Sequence, residues 1–172
     1  MLGFLKPKPA PQGPVEIDRD RVIEKPAADV FALIDWTSPN NAQRALGNHV
    51  EQVSTSPEQF RLTPVFLPGH EFDMTVTANI QGRKYAFMTE ITPGIGNMVR
   101  SHETYTLEPL DDHSCRLRLR MNTTLKDGLG LKAHEHEVAL LSASVHNNLS
   151  KLKGHAEKGV ETVLAIEDAQ RR

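Results

Sequence analysis

Eight apolar residues, Val138, Leu141, Val145, Leu149, Leu152, Ala156, Val160 and Val163, recur at steps of 3, 4, 4, 3, 4, 4 and 3. Those steps keep side chains on one face of a helix, so the spacing predicts a long amphipathic helix from about Ala133 to Ala169. Glu135, Asn147, Asn148, Lys151, Lys158 and Glu161 fall mostly off the stripe. A stripe of this length needs an apolar surface to cover. The helix would run roughly 55 Å at 1.5 Å per residue, against about 33 Å for a ten-residue strand. One end is therefore expected to overhang, and the charged segment Glu167 to Arg172 is expected to be that free end.

The surface it needs lies upstream, where the apolar period is two. Cys115, Leu117, Leu119 and Met121 alternate with Arg116, Arg118, Arg120 and Asn122, which marks a strand with one buried and one wet face. Phe72, Met74, Val76, Ala78 and Ile80 form one face of an earlier strand, and Gln81-Gly82 turns it into a return strand bearing Tyr85, Phe87, Thr89 and Ile91. Pro93-Gly94 turns the chain again into Met98 to Leu107, and Pro109 to His113 forms a polar turn before the last strand. Val50 to Ser54 and Gln59 to Thr63 are two shorter strands. Val15 to Glu24 reads as a first strand, which Lys25-Pro26 breaks. Val30, Phe31, Leu33 and Ile34 then sit at helical spacing in a short helix ending near Trp36. A second short helix runs from Asn41 to Leu46 and stops at Gly47-Asn48.

The expected class is therefore α+β: a curved antiparallel sheet of about seven strands wrapped round a long C-terminal helix, with two short helices after the first strand. Residues 15–172 make a single helix-grip domain. Residues 1–14 are expected to be a flexible leader, since Lys6 to Pro14 holds four prolines and a glycine.

Charge and cysteine content narrow the function. The 172 residues carry 20 Lys+Arg against 22 Asp+Glu. That near-balance, without a basic cluster, argues against nucleic acid as the partner. A single cysteine, Cys115, excludes an intramolecular disulfide and any paired-cysteine metal knuckle. It sits on the apolar strand face and reads as an inert core residue. No apolar run reaches the ~18 residues of a membrane span, and the apolar start is too short for a signal peptide, so the expected compartment is the cytoplasm.

The strand order resembles that of the START/Bet v 1-like (SRPBCC) superfamily, as does the first strand-to-helix junction, Ile23-Glu24-Lys25-Pro26-Ala27-Ala28-Asp29-Val30-Phe31-Ala32-Leu33-Ile34. Within it the chain is most similar to the bacterial polyketide cyclase/dehydrase and lipid-transport-like proteins. Thr89-Glu90-Ile91-Thr92-Pro93-Gly94 and the hairpin from Leu107 to Leu117 also match that group. The resemblance spans roughly residues 15 to 165. It implies a cavity between sheet and long helix that takes an apolar ligand such as a lipid or polyketide; some members are enzymes and many are not. Two departures, the Pro-rich Thr63 to Gly69 and the His/Glu-rich start of the long helix, fall where a cavity entrance would lie.

On this reading the ligand-facing candidates are Phe72, Met74, Tyr85, Phe87, Glu103, Tyr105, Leu117, Leu119, Met121, Leu141, Val145 and Leu149. For any single apolar one the core reading carries more weight, because sheet and helix must touch somewhere, while as a group they suit a pocket. Strand 98–107 has two registers. One turns Val99, Ser101, Glu103, Tyr105 and Leu107 inward. The other turns Met98, Arg100, His102, Thr104 and Thr106 inward. In the first, a buried Glu103 needs a partner or stays protonated, which makes it the best polar anchor or general acid/base, with Tyr105 or His102 assisting.

His134-Glu135-His136-Glu137 does not make a metal site on a helix, because histidines two apart point to different faces. Glu135 and Glu137 instead suit the positive end of the helix. No nucleophile elbow, phosphate loop or dinucleotide fingerprint is present, and neither metal nor cofactor is expected. The row Arg116, Arg118 and Arg120 reads as a charged strand face paired with neighbouring acids, or as a docking surface for an acidic partner.

Three functions follow in order of preference: binding or transport of a small hydrophobic ligand, a cyclase/aromatase- or dehydratase-type enzyme using the same cavity, and a closed-cavity protein-interaction module. A homodimer is left open.

Overall fold

The computed structural model describes residues 8–53 and 56–171, with side chains as far as Asp168. Met1 to Pro7, Ser54 and Arg172, which belong to the expected leader, second strand and C-terminal end, lie outside the described residues. The elements run β1 (Val15–Ile23), α1 (Ala27–Ile34), α2 (Ala42–Ala45), β2 (His49–Gln52), β3 (Gln59–Thr63), β4 (Glu71–Ile80), β5 (Lys84–Thr92), β6 (Met98–Pro109), β7 (Cys115–Leu125), α3 (Leu131–Lys158) and α4 (Val160–Arg171). The seven strands form one antiparallel sheet in the order β1-β7-β6-β5-β4-β3-β2. Both ends of the order come from the start of the chain, because α1 and α2 carry it from β1 across to β2. The fold is the α+β helix grip expected from the periodicities. Among the described residues no helix is long and apolar enough to cross a membrane.

The alternation in β7 survives intact: Cys115, Leu117, Leu119 and Met121 are buried and Arg116, Arg118 and Arg120 are exposed. The arginines meet acids across the strand pairing. Arg118 grips Asp18 through Nε at 2.8 Å and Nη2 at 2.6 Å, Arg120 adds a 3.3 Å contact to the same carboxylate, and Arg116 reaches Glu108 at 3.0 Å. Asp18 is held below the ordinary carboxylate range, mainly by its hydrogen bonds to Arg118.

Two bulges break the strict alternation expected of β4 and β6. The register of β4 against β5 slips between Val76 and Ala78, which turns Ile80 out into solvent. The register of β6 against β7 slips between Met98 and Arg100. Val99, expected inside, is half exposed, and Met98 takes its place on the inner face. One extra residue moves everything beyond it to the opposite side of the sheet. The rest of β6 keeps the first of the two registers, with Ser101, Tyr105 and Leu107 buried.

The long helix is two helices. Gly159 ends α3 with φ of 87°, a conformation that favours glycine, and its N–H closes on the His155 carbonyl at 2.9 Å. Beyond it α4 folds back along α3. Lys151 and Glu167 would be about 24 Å apart in an unbroken helix, yet their side chains meet at 2.7 Å. Val163 is buried at this turn, facing Gly154, where a Cβ would come within 4.0 Å of it. Val163, the last residue of the apolar stripe, therefore serves the α3–α4 contact, and Glu167 is an anchored residue rather than part of a free end. Helix α3 also starts earlier than expected, at Leu131, so neither Glu135 nor Glu137 lies in its first turn. Glu137 instead accepts from Asn97 at 2.7 Å.

Helix α3 does not lie centrally over the sheet. Its contacts run mainly to β1, with fewer to β7 and α1. Arg21 of β1 reaches His146 at 2.9 Å, and the backbone N–H of Glu24 donates to Glu157 at 2.8 Å. Val145, Leu149 and Leu152 fill the core on this side. The other half of the sheet, β3 to β6, is left with a space above it.

Candidate functional site

That space is a cavity of about 380 Å³, within the range of roughly 300–1,000 Å³ usual for small-molecule sites. Its floor is the inner face of the sheet: Leu62 of β3, Phe72 and Met74 of β4, Phe87, Thr89 and Ile91 of β5, Met98, Ser101, Glu103 and Tyr105 of β6, and Met121 of β7. Leu141, Ser144, Asn148 and Leu152 of α3 close one side, and Leu33, Ile34, Trp36, Asn41, Ala42 and Gln43 from the α1–α2 region close another. Pro64 and Phe66, from the Pro-rich departure between β3 and β4, also line it, with Ile95. Phe66 is more than half exposed there.

The twelve sequence candidates divide in two. Phe72, Met74, Phe87, Glu103, Tyr105, Met121 and Leu141 line the cavity. Tyr85, Leu117, Leu119, Val145 and Leu149 are buried core residues outside that lining. His102, considered as a partner for Glu103, sits on the opposite sheet face and bonds Thr77 at 2.9 Å.

Tyr85 has a structural task. Its ring meets Phe31 edge-on at 5.8 Å, and its hydroxyl accepts the Trp36 backbone N–H at 3.2 Å, which fixes the segment after α1 to the sheet. Trp36 in turn packs edge-on against Phe87 at 5.3 Å, and Phe87 stacks on Tyr105 at 6.1 Å. Asn41 braces the same segment, donating to the carbonyls of Ile34 and Asp35 at 3.2 and 3.1 Å while accepting from the Gln43 N–H. One wall of the cavity is thus a rigid aromatic and capped corner.

The polar focus is a chain of three side chains. Asn148 Nδ2 donates to the Tyr105 hydroxyl at 2.8 Å, and that hydroxyl donates to Glu103 Oε2 at 2.9 Å. Glu103 and Tyr105 are two apart on one strand, so the pleat aims both inward. Among the described residues Tyr105 is the sole hydrogen-bond partner of the Glu103 carboxyl. Burial pushes the Glu103 carboxyl above its ordinary value, and the Tyr105 hydrogen bond offsets only part of that. Tyr105 is pushed well above its own ordinary value by burial and by the neighbouring carboxyl, so it stays a phenol. The arrangement can hold or exchange one proton at the Glu103 oxygen that Tyr105 leaves free. A second polar feature is the Trp36 indole N–H, which is buried without a partner among the described residues.

The sequence reading missed Trp36, Asn148 and the α1–α2 corner. Asn148 had a legible signal: it follows Val145 by three residues and Leu141 by seven, which places it on the edge of the apolar stripe rather than on the polar side. No cluster of three His, Cys, Asp or Glu side chains able to hold a metal occurs among the described residues. Cys115 is fully buried, and burial pushes its thiol up.

No protein-family model matches the chain, and no curated protein matches it by sequence. Solved structures do. DynU16, from the dynemicin biosynthetic locus, superposes with a TM-score of 0.60 at 19% identity over 87% of this chain and 49% of its own. This chain therefore spans about half the length of that protein. The Zhui aromatase/cyclase from Streptomyces sp. R1128 matches with a TM-score of 0.61 at 16% identity over 83% of this chain and 93% of its own. A START superfamily protein from Mycobacterium smegmatis matches with a TM-score of 0.51 at 10% identity over 80% of this chain and 98% of its own. The fold is START/Bet v 1-like.

Proposed function

We propose that this protein, with its START/Bet v 1-like fold, binds a small, largely apolar molecule in the cavity between α3 and the β3–β6 half of the sheet. The observation that carries this is the cavity itself: about 380 Å³, walled mainly by apolar side chains, with one polar chain at Glu103, Tyr105 and Asn148. Apolar walls supply affinity at roughly 25 cal/mol for each Å² removed from water, before the cost of ordering the ligand. The polar chain orients whichever end of the ligand carries oxygen. Phe72, Met74, Phe87, Met121 and Leu141 are the proposed apolar contacts, joined by Trp36 and Leu152. Against a closed-cavity interaction module stand this volume and the pairing of Arg116, Arg118 and Arg120 with Glu108 and Asp18.

Native mass spectrometry of freshly purified protein tests the proposal, together with titration of apolar probes against the fluorescence of Trp36, the chain's single tryptophan. Co-purifying small molecules or saturable changes in Trp36 emission are expected. A ligand-free spectrum with no saturable response to any apolar probe would overturn it.

One observation favours a second reading, a cyclase- or dehydratase-type enzyme. Glu103 is a carboxyl of raised proton affinity inside an apolar cavity, hydrogen-bonded to a phenol, as a general acid/base requires, and the structurally similar Zhui is an aromatase/cyclase. In that reading Glu103 gives its proton to a substrate carbonyl oxygen or takes one from the adjacent carbon, while Tyr105 holds the carboxyl in place. Glu103→Gln separates the two readings once a substrate is in hand. Turnover falls by about 10²-fold or more for a proton-transfer role, and binding changes only modestly for an anchoring role.

A further inference from the structure

We infer that the cavity selects an uncharged molecule whose buried end carries an oxygen acceptor, a carbonyl or a hydroxyl, and that it rejects carboxylates and other anions. This rests on the cavity-binding reading above and specifies what that cavity takes.

The first support is the charge inventory of the lining. Among the described residues no lysine, arginine or histidine contributes to it, and Glu103 is the single carboxyl. An anion entering this space loses water, meets no counter-cation and approaches another acid. The chain is not short of cations, but Arg120, Arg61 and Arg44, each beside a lining residue, are engaged elsewhere: Arg120 by Asp18 on the far face of the sheet, Arg61 by Asp73, and Arg44 by the backbone carbonyls of Val50 and Trp36. A basic ligand is disfavoured for a related reason. To pair with a cation the carboxyl must give up its proton, and burial raises the cost of doing so.

The second support is the direction of the hydrogen bonds. Donation runs from Asn148 to Tyr105 and from Tyr105 to Glu103 Oε2. With that oxygen already accepting, a proton carried by the carboxyl sits on the other oxygen, on the side of the cavity that Glu103 lines. Trp36, which also lines the cavity, has its indole N–H buried without a partner among the described residues. Donors without cations suit a neutral acceptor.

The test uses four probes that share one straight ten-carbon chain and differ only at the end: decan-2-one, decan-1-ol, decanoate and decylammonium. Each is titrated at pH 7.5 into the wild-type protein and into Glu103→Gln, following Trp36 fluorescence. In the wild type the ketone and alcohol are expected to bind, with decanoate and decylammonium weaker by at least about tenfold. In Glu103→Gln, whose amide also donates but cannot ionise, the gap between alcohol and decanoate is expected to narrow to about threefold. Decanoate or decylammonium binding the wild type as tightly as decan-1-ol would overturn the inference and leave the binding function standing. Failure of all four probes to bind would remove the binding function and the inference with it. The wild-type comparison is decisive even should Glu103→Gln fold poorly.

Discussion

Asn148 on the long helix and Tyr105 on the sheet are joined by a 2.8 Å hydrogen bond, with Asn148 Nδ2 as donor. One belongs to the α3 wall of the cavity and the other to its sheet floor, so this bond ties helix to floor. Tyr105→Phe deletes the hydroxyl and leaves both Asn148 and Glu103 without it. A loss of about 1–3 kcal/mol in unfolding free energy is expected, measurable by urea denaturation. The Glu103 carboxyl, deprived of the one interaction that lowers its proton affinity, should titrate still higher. A Tyr105→Phe protein of wild-type stability would show that the chain does not hold the site together.

The raised Glu103 carboxyl has a pH signature of definite sign. The folded state binds the proton more tightly than the unfolded chain, whose glutamate titrates near 4.5. Stability from this group is therefore full below about pH 4.5 and falls as the pH rises from there through the folded-state value. Asp18 behaves oppositely. Its carboxyl is depressed below 3.8 by the Arg118 hydrogen bonds, so its contribution is present above 3.8 and is lost as acid takes the pH through the folded-state value. Glu103→Gln should remove the first slope and leave the second. The difference in melting temperature between variant and wild type is thus expected to grow in the variant's favour from pH 4.5 upward. A difference independent of pH would contradict the buried assignment.

Much of this was readable in the chain because several segments agree with themselves. From Cys115 to Met121 every second residue is apolar and the intervening ones are arginines, so one register alone buries the apolar set. In β6 Tyr105 and Leu107 share parity with Glu103, and burying them takes the carboxyl inward. Val99 and Ile80 were misplaced because bulges carry no marker in an alternating pattern: the residues at the slips, Val99 and Thr77, are ordinary strand formers. The split between core and cavity was hidden for a different reason. Alternation assigns a face, whereas Leu117 and Phe87 differ in whether α3 sits above them, and that depends on the helix leaning toward β1. The corner built from Trp36 and Asn41 lies in a loop and a one-turn helix, where no periodicity exists to read.

Gly159 should be the most sensitive glycine of the C-terminal region. Its φ of 87° is unfavourable for any residue with a Cβ, although no atom lies within 4 Å of where that Cβ would go. Gly159→Ala therefore costs backbone strain alone, about 1 kcal/mol or more. A straightened helix would also separate Lys151 from Glu167 and uncover Val163. A lower melting temperature and faster amide exchange confined to α4 and the facing turn of α3 are expected. Unchanged exchange there would mean that the fold-back is fixed by something other than this glycine.

Filling the cavity separates binding from folding most directly. Leu141 is partly buried on the α3 wall, lines the cavity and packs against the core without joining its fully buried set. Leu141→Trp directs an indole toward empty space, so the added area gains van der Waals contact rather than forcing the overpacking that costs 1–3 kcal/mol in a full core. The melting temperature should hold or rise, while affinity for decan-1-ol should drop by about tenfold or more, since the ring occupies the volume the chain needs. The fifth core candidate, Leu149, gives the converse result. It is fully buried beneath the helix and outside the lining, so Leu149→Ala should cost about 2–5 kcal/mol of stability with little direct effect on the ligand. Equal losses of affinity in the two variants, measured where both remain folded, would show that the volume beneath α3 is not where the probe resides.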